Sequence, residues 1–379
     1  MTVIMNTIFR IHISILFLAM VAMSGCTDAD SEPGSDSTLV GNDEPSGDVD
    51  VADGAEPDVG FDAATGDAAN GSATTVDVAN IDAAASMPDA AAAPEQWESL
   101  DVDEAEATDM DGPLIGPDER PARVLLPDDY DGSRQLPVVF LFHGYTATST
   151  LQDIYFGLSQ RRHDRDFIAV LPDGNTDSTG QQYWNATDYC CDFYGAQPDD
   201  VGYFEALLNE LREDFAVDPD RIHLLGHSNG SFLAYRLACE HGSKIASIVG
   251  LAGSGHWDGA DCATDGTVSV LHIHGTNDAV ILYPGVIGTY PGAREMTDRW
   301  SERNQCSGAS SIESTISLDR LIWGQETTQR RYGGCPQNAE VELWTILGGT
   351  HIPSLDDSFA DRVLDFSLPR TNPDAVEDP

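Results

Sequence analysis

The 379-residue sequence predicts an α/β domain: a mostly parallel sheet with helices on both faces, preceded by a disordered acidic linker. Three observations carry that expectation. From Ala122 onward, short apolar runs alternate with loops and amphipathic stretches, the pattern of parallel strands joined by crossover helices. The run Pro137-Val138-Val139-Phe140-Leu141-Phe142 is apolar at every position, as in a strand covered on both sides. Residues 27–112 hold 24 Asp and Glu, no Lys or Arg and almost no aromatic residue, too little apolar surface to offset chain entropy.

The N-terminus reads as an address. Met1 to His12 carry one Arg and no acid, and the apolar run Ile13 to Met23 is broken only by Ser14. That run is too short to cross a bilayer as a finished helix. With Ser24, Gly25 and Cys26 behind it, it has the order of a secretory signal. Met23-Ser24-Gly25-Cys26 resembles a bacterial lipobox, with Met where Leu is usual. Residues 1–26 are therefore expected to be a lipoprotein signal peptide with Cys26 lipidated; plain secretion is the alternative. The product is exported, lipid-anchored to the cell envelope or extracellular. Like charges extend the 27–112 linker, and its loose Asp-Ala-Ala phrases have no fixed period. It has no ordered calcium loop. The catalytic domain is expected over 113–370 and a polar tail over 371–379.

Within the domain, Ala122 to Leu126 reads as a strand stopped by Pro127, and Phe167 to Leu171 as one closed by Pro172-Asp173-Gly174. Val201 to Phe215 has helical spacing, with Asp199 or Asp200 as N-cap. Strand Arg221 to Leu225, helix Ser231 to Cys239 and strands Ala246 to Leu251 and Val268 to His274 follow. Helix Ala293 to Asn304, strand Val341 to Leu347 and helix Asp356 to Phe366 close the domain.

Charge narrows the function. The whole chain has a net charge of −45, and from Pro113 onward 40 acidic residues still face 18 basic ones. Nucleic-acid binding needs a basic footprint and is excluded. Surface adhesion to anionic lipid is disfavoured, which leaves the lipid anchor as the only membrane contact expected. Six cysteines follow Cys26, and an even number in an exported chain reads as disulfides. Neighbouring cysteines seldom pair, so the expected bridges are Cys306 with Cys335, and Cys190 and Cys191 with Cys239 and Cys262 in either order. No Cys-x-x-Cys, Walker A, His-Glu-x-x-His or dinucleotide fingerprint occurs, so neither a metal nor another cofactor is expected.

The chemistry centres on Gly226-His227-Ser228-Asn229-Gly230, a G-x-S-x-G string between a strand and a helix. In that context it is a nucleophile elbow, the signature of the α/β-hydrolase fold. A serine hydroxyl needs a base, and the base needs an orienting carboxylate, in the chain order Ser, Asp, His. His274-Gly275-Thr276-Asn277-Asp278 puts Asp278 just past one strand end, and Leu347-Gly348-Gly349-Thr350-His351 puts His351 past another. Ser228, Asp278 and His351 are the expected catalytic set. Asp258, Asp261 and Asp265 compete for the acid, and His256, His272 and His274 for the base; His272 and His274 read better as core histidines. The N–H groups of Asn229 and Tyr145 are the expected oxyanion hole, with Thr146 next.

His143-Gly144-Tyr145, Pro172-Asp173-Gly174, Trp184-Asn185 ahead of Cys190-Cys191, Asp199-Asp200-Val201-Gly202-Tyr203, the elbow, Arg236-Leu237-Ala238-Cys239-Glu240 and His274-Gly275-Thr276-Asn277-Asp278 form an ordered series. The series resembles the secreted polyhydroxybutyrate depolymerase and feruloyl esterase family of α/β-hydrolases, from about Arg120 to Phe366. The resemblance implies a serine esterase acting through an acyl-enzyme. Its substrates would be polyesters of hydroxyacids or aryl and acetyl esters of plant polysaccharides. The family's Gly-Gly-Gly-His followed by Trp-Pro-Gly is here Gly348-Gly349-Thr350-His351-Ile352-Pro353-Ser354, so an aromatic wall beside the His is missing. A non-catalytic binding lipoprotein and a serine peptidase on the same scaffold are the alternatives. The complete Ser, Asp and His set disfavours the first, and the family resemblance the second.

Overall fold

The computed structural model describes residues 110–374. The expected signal peptide with Cys26, the linker up to residue 109 and the tail from residue 375 lie outside the described residues. One ten-stranded sheet organises the rest. Its strands in chain order are β1 (Leu114–Ile115), β2 (Ala122–Leu125), β3 (Leu136–Phe142), β4 (Ile168–Leu171), β5 (Val217–His227), β6 (Ser247–Leu251), β7 (Ser269–Gly275), β8 (Ser310–Ile316), β9 (Thr327–Tyr332) and β10 (Val341–Ile346). The spatial order is β1-β2-β4-β3-β5-β6-β7-β10-β9-β8. Pairings from β4 through β10 are parallel, and those at both margins are antiparallel.

The apolar run at β3 is buried at every position because both of its faces are covered. Val138, Phe140 and Phe142 enter one core with α3 (Asp200–Asp214), α4 (Asn229–Glu240) and α5 (Ala293–Arg303). Val139 and Leu141 enter a second core on the other face, with Phe156 of α1 (Ser149–Phe156) and with α6 (Phe359–Ser367). The short α2 (Arg162–Arg165) precedes β4. The fold is thus the α/β-hydrolase type, with helices on both faces. Asp199 caps α3, its carboxylate accepting the Gly202 N–H at 2.8 Å.

Four features depart from the sequence reading. β8 and β9 were not expected, because Ser310–Ile316 and Thr327–Tyr332 are polar and without an apolar alternation; β8 is largely solvated, and β9 is half-buried. α1 was not expected because its pattern is inverted: Ser149, Gln152, Asp153 and Phe156 are buried, while Leu151 and Ile154 face solvent. The start of the polar tail, residues 371–374, is tied to the domain, which the residue types did not indicate. Buried Asn372 donates to the carbonyls of Gly242 and Ile245, and Asp374 accepts the Thr267 N–H.

The fourth correction concerns the bridges. Cys306 pairs with Cys335, as expected, but Cys239 pairs with Cys262 and Cys190 with its neighbour Cys191. The expectation rested on the strained geometry of a bridge between neighbours; here the Cys190 and Cys191 Cα atoms lie 3.0 Å apart and the bridge forms. The other two bridges span 23 and 29 residues, and loops of that length favour the folded state by about 3 kcal/mol each. Reducing them under unfolding conditions should lower the melting temperature by on the order of 10 °C. An unchanged midpoint in scanning calorimetry would show that they do not stabilise the domain.

Buried imidazoles set the acid side of stability. Burial pushes His223 and His227 down to about 3, and His272 well below its ordinary value. In the unfolded chain each takes a proton near pH 6.5. A folded value below the unfolded one leaves stability complete above about pH 6.5 and removes it as pH falls toward the folded value. Between about pH 6 and 4, unfolding should take up about two protons at His223 and His227, a loss of about 3 kcal/mol per pH unit, with His272 adding in the same direction. Denaturant titrations at pH 4.5, 5.5 and 8 measure it; a flat profile would mean that the rings are solvated.

Candidate active site

The elbow is built by close approach. A Cβ at Gly226 would collide with the Gly230 carbonyl oxygen, and one at Gly230 with the Phe142 carbonyl oxygen. Two glycines therefore let α4 start directly against β3 and β5. Between them Ser228 has φ 52° and ψ −120°, a conformation that L-residues rarely adopt, which turns its hydroxyl out over the sheet edge. Its N–H donates to the Leu251 carbonyl at 2.9 Å, holding the turn against the end of β6.

Ser228, His351 and Asp278 meet at the carboxyl edge of the parallel strands. Ser228 Oγ lies 2.9 Å from His351 Nε2, and His351 Nδ1 lies 2.8 Å from Asp278 Oδ2. An ionised carboxylate only accepts, so Nδ1 carries the proton and Nε2 is the acceptor facing the serine. Asp278 Oδ1 receives the N–H groups of Val280 and Ile281 at 2.8 and 2.9 Å. Burial raises the Asp278 carboxyl, but hydrogen bonds and charge from His274 and His351 outweigh it and hold the group well below its usual range. The ionised form is the one these contacts favour.

The loops that carry these groups are tied to one another. Thr276 N–H reaches the Ile346 carbonyl and Asn277 N–H the Gly349 carbonyl, both at 2.9 Å, which joins the acid loop to the base loop. His227 Nε2 lies 3.0 Å from the His351 carbonyl and connects the elbow to the base loop. Its Nε2 therefore carries the proton, since a carbonyl only accepts.

Around the serine, Thr146 N–H is occupied by the Gln182 carbonyl at 2.8 Å. Among the described residues, no acceptor takes the N–H of Tyr145 or of Asn229 at the first turn of α4. Two such donors beside a serine hydroxyl suit a developing oxyanion. The Asn229 side chain is wholly buried and clamps the Trp184 backbone: Oδ1 accepts its N–H at 2.7 Å and Nδ2 donates to its carbonyl at 2.9 Å. Nδ2 also lies 3.4 Å from Cys190 Sγ. The residue after the serine thus anchors the loop that carries the neighbouring-cysteine bridge. Asp200 holds the same loop, accepting the Asn185 N–H and pairing with Arg120.

The competing residues serve elsewhere. Asp258 accepts the Ala260 N–H, and Asp265 binds Ser243 through both oxygens. Trp184 is fully buried, its indole N–H on the His143 carbonyl at 3.0 Å, so it supports the Tyr145 loop from beneath. The side-chain roles of His227 and Asn229 were not read from the sequence. The only trace of the first was a ring nitrogen inside the motif, and Asn229 meets a partner 45 residues away.

A model of the Esterase family, described as "Putative esterase", matches residues 116–331. Feruloyl esterase D of Neurospora crassa is 26% identical over 247 residues, which cover 62% of this chain and 74% of that one. Feruloyl esterase B of Piromyces equi is 24% identical, over 65% of this chain and 45% of its own, so the match spans less than half of that relative. Among solved structures, an acetyl xylan esterase from Aspergillus awamori is similar with TM-score 0.48 and 13% identity, over 66% of this chain and 95% of that one. A ferulic acid esterase from Anaeromyces mucronatus is similar with TM-score 0.40 and 16% identity, over 68% and 89%.

Proposed function

This chain belongs to the Esterase family and is a carboxylic-ester hydrolase; from that premise we propose that it works through Ser228, His351 and Asp278 by way of an acyl-enzyme. The observation that carries the proposal is the continuous hydrogen-bond chain from Ser228 Oγ through His351 to Asp278 at a strained strand-to-helix turn. Ser228 Oγ attacks the ester carbonyl while His351 Nε2 takes its proton. The tetrahedral oxyanion is stabilised by the N–H groups of Tyr145 and Asn229. Asp278 keeps His351 in the right tautomer and offsets the imidazolium charge. The alcohol leaves with the proton from His351, and water repeats the sequence on the acyl group, restoring Ser228.

The substrate proposed is a feruloyl or acetyl ester of a plant polysaccharide, with a hydroxyacid polyester as the alternative. The named activities of the relatives support the first. So does the aromatic surface beside the proposed oxyanion hole, where half-exposed Phe193 meets Tyr145 edge-on with ring centres 5.3 Å apart. Assays of the full chain on p-nitrophenyl esters of graded length, methyl ferulate and polyhydroxybutyrate film separate these. Turnover of methyl ferulate above the short p-nitrophenyl esters in kcat/KM is the expected result; activity confined to the film would give the polyester instead.

The chain is further proposed to be exported and anchored through lipidated Cys26, with the 27–112 linker as a spacer ahead of a catalytic domain that starts near residue 113. The apolar run ending at Cys26 supports this reading. Cys26→Ser should shift the protein from the membrane fraction to the soluble one in a Gram-negative host, with turnover of small esters unchanged. Wild type already soluble, with no lipid mass on Cys26, would leave plain secretion.

A further inference from the structure

We propose that His274 is a positioning residue for this reaction: its Nε2–H, fixed in direction by His272 and Tyr235 behind it, holds the Asp278 carboxylate that orients His351. The proposal rests on the reading of Ser228, His351 and Asp278 given above.

Asp278 Oδ2 faces two imidazoles, His351 Nδ1 at 2.8 Å and His274 Nε2 at 3.2 Å. His274 lies at the penultimate position of β7 and is 1% exposed. Its Nε2 is also 2.8 Å from the Ile281 carbonyl oxygen. Both oxygens are acceptors only, so Nε2 must carry the proton and Nδ1 must accept. Nδ1 lies 3.1 Å from His272 Nε2, which therefore donates. His272 Nδ1 then accepts, and its partner is the Tyr235 hydroxyl at 2.7 Å. Tyr235 and His272 are as buried as His274. The opposite tautomer of His274 would aim a lone pair at two oxygens in a buried site, which burial makes costly. One proton arrangement thus satisfies the whole line, and its last donor, His274 Nε2–H, is shared between the Ile281 carbonyl at 2.8 Å and Asp278 Oδ2 at 3.2 Å.

The consequence falls on the carboxylate. A second N–H beside Oδ2, shared with the Ile281 carbonyl, holds the carboxyl group in orientation and draws charge away from His351 Nδ1. Asp278 then stays a carboxylate when His351 becomes an imidazolium, rather than taking the proton itself. Other titratable groups surround the pair. The His227 ring lies 5.2 Å from that of His351, and Tyr155 faces His227 from α1 with Asp319 behind it. Tyr290 and Tyr283 flank the acid loop, Tyr283 edge-on to His274 at 5.6 Å. Among the described residues, the side chains that reach the Asp278 carboxylate are those of His274 and His351.

The test compares His274→Phe and His274→Gln in the full chain on a p-nitrophenyl ester, with Ser228→Ala as control. Phe fills the space without a donor, whereas the Gln amide can return an N–H near the position of Nε2. His274→Phe should lower kcat on the order of 10- to 100-fold, the scale of one hydrogen bond to a charged group, with KM within about twofold. The acid limb of kcat/KM should move to higher pH, because a carboxylate with one donor fewer holds the His351 imidazolium more firmly. His274→Gln should recover most of kcat. A folded His274→Phe with wild-type kcat and an unmoved acid limb overturns the proposal, as does a His274→Gln as impaired as His274→Phe. Should His274→Phe fail to fold, ring-nitrogen correlation spectra of the wild type decide: Nε2-protonated His274 and His272 support it, and Nδ1-protonated His274 overturns it. Wild-type turnover in Ser228→Ala would remove the nucleophile reading and this role together; an inactive Ser228→Ala beside an unaffected His274→Phe would remove this role alone.

Discussion

Ser228→Ala should lower ester turnover on the order of 10⁴-fold or more while leaving the fold intact. The loss is large because the proposed reaction makes this hydroxyl the atom that bonds to the substrate. The elbow itself needs the two glycines and the contact of α4 with β3, none of which uses the Ser228 side chain. The alanine should therefore keep the melting temperature within a degree or two. Turnover on methyl ferulate and on a p-nitrophenyl ester, with a thermal melt alongside, checks both parts. A variant retaining a tenth of wild-type activity would mean that another group attacks the ester.

Asp278→Asn should cost about 10³- to 10⁴-fold in kcat with little change in KM. Asn has nearly the shape of Asp, and its oxygen can still receive the Val280 and Ile281 N–H groups that Oδ1 receives now. Its NH₂ would then face His351 Nδ1 and His274 Nε2, where the carboxylate accepted from both. His351 would move its proton to Nε2, and a protonated Nε2 cannot take a proton from Ser228. If Asp258→Asn or Asp265→Asn caused that loss while Asp278→Asn did not, the acid would belong to a different loop. Neither of those carboxylates has a hydrogen bond to His351 among the described residues; they hold Ala260 and Ser243.

What the sequence disclosed follows from where burial is two-sided. β3 is legible as an unbroken apolar run because both of its faces meet helices. β6 and β7 read the same way, being buried at every position. The margin of the sheet has only one neighbour per strand and solvent beyond it, so β8 could be Ser-Ser-Ile-Glu-Ser-Thr-Ile and leave no periodic signal. α1 hid for the opposite reason: it buries polar groups that have specific partners, Gln152 on the Gly144 N–H and Asp153 on Ser159. Pattern reading assumes that the inward face is apolar. A helix that serves the turn before Tyr145 with an amide oxygen breaks that assumption.

The site divides along the same line. Ser228, Asp278 and His351 could be named because each follows a strand end and the order of the three is restricted in this fold. Their spacing of 73 residues between His351 and Asp278, and 123 between His351 and Ser228, contains no local signal of contact. The groups behind them were less accessible. His272 and His274 looked like core histidines, and both are buried; the bond from His274 to Asp278 depends on the turn over residues 276–281, which residue types alone do not fix. Asn229 was expected to contribute only its N–H, yet its side chain carries the loop with the paired Cys190 and Cys191. That pairing was missed because neighbouring cysteines seldom pair, and residue types alone do not mark the exception.

Whether Ser228 is the nucleophile is read most directly by labelling the intact protein with a fluorophosphonate and mapping the adduct by peptide mass spectrometry. One adduct per chain is expected, on the peptide containing Gly226-His227-Ser228-Asn229-Gly230 and on Ser228 within it, with ester hydrolysis lost in step with labelling. An adduct on another residue, or complete labelling of Ser228 with hydrolysis undiminished, would contradict the account.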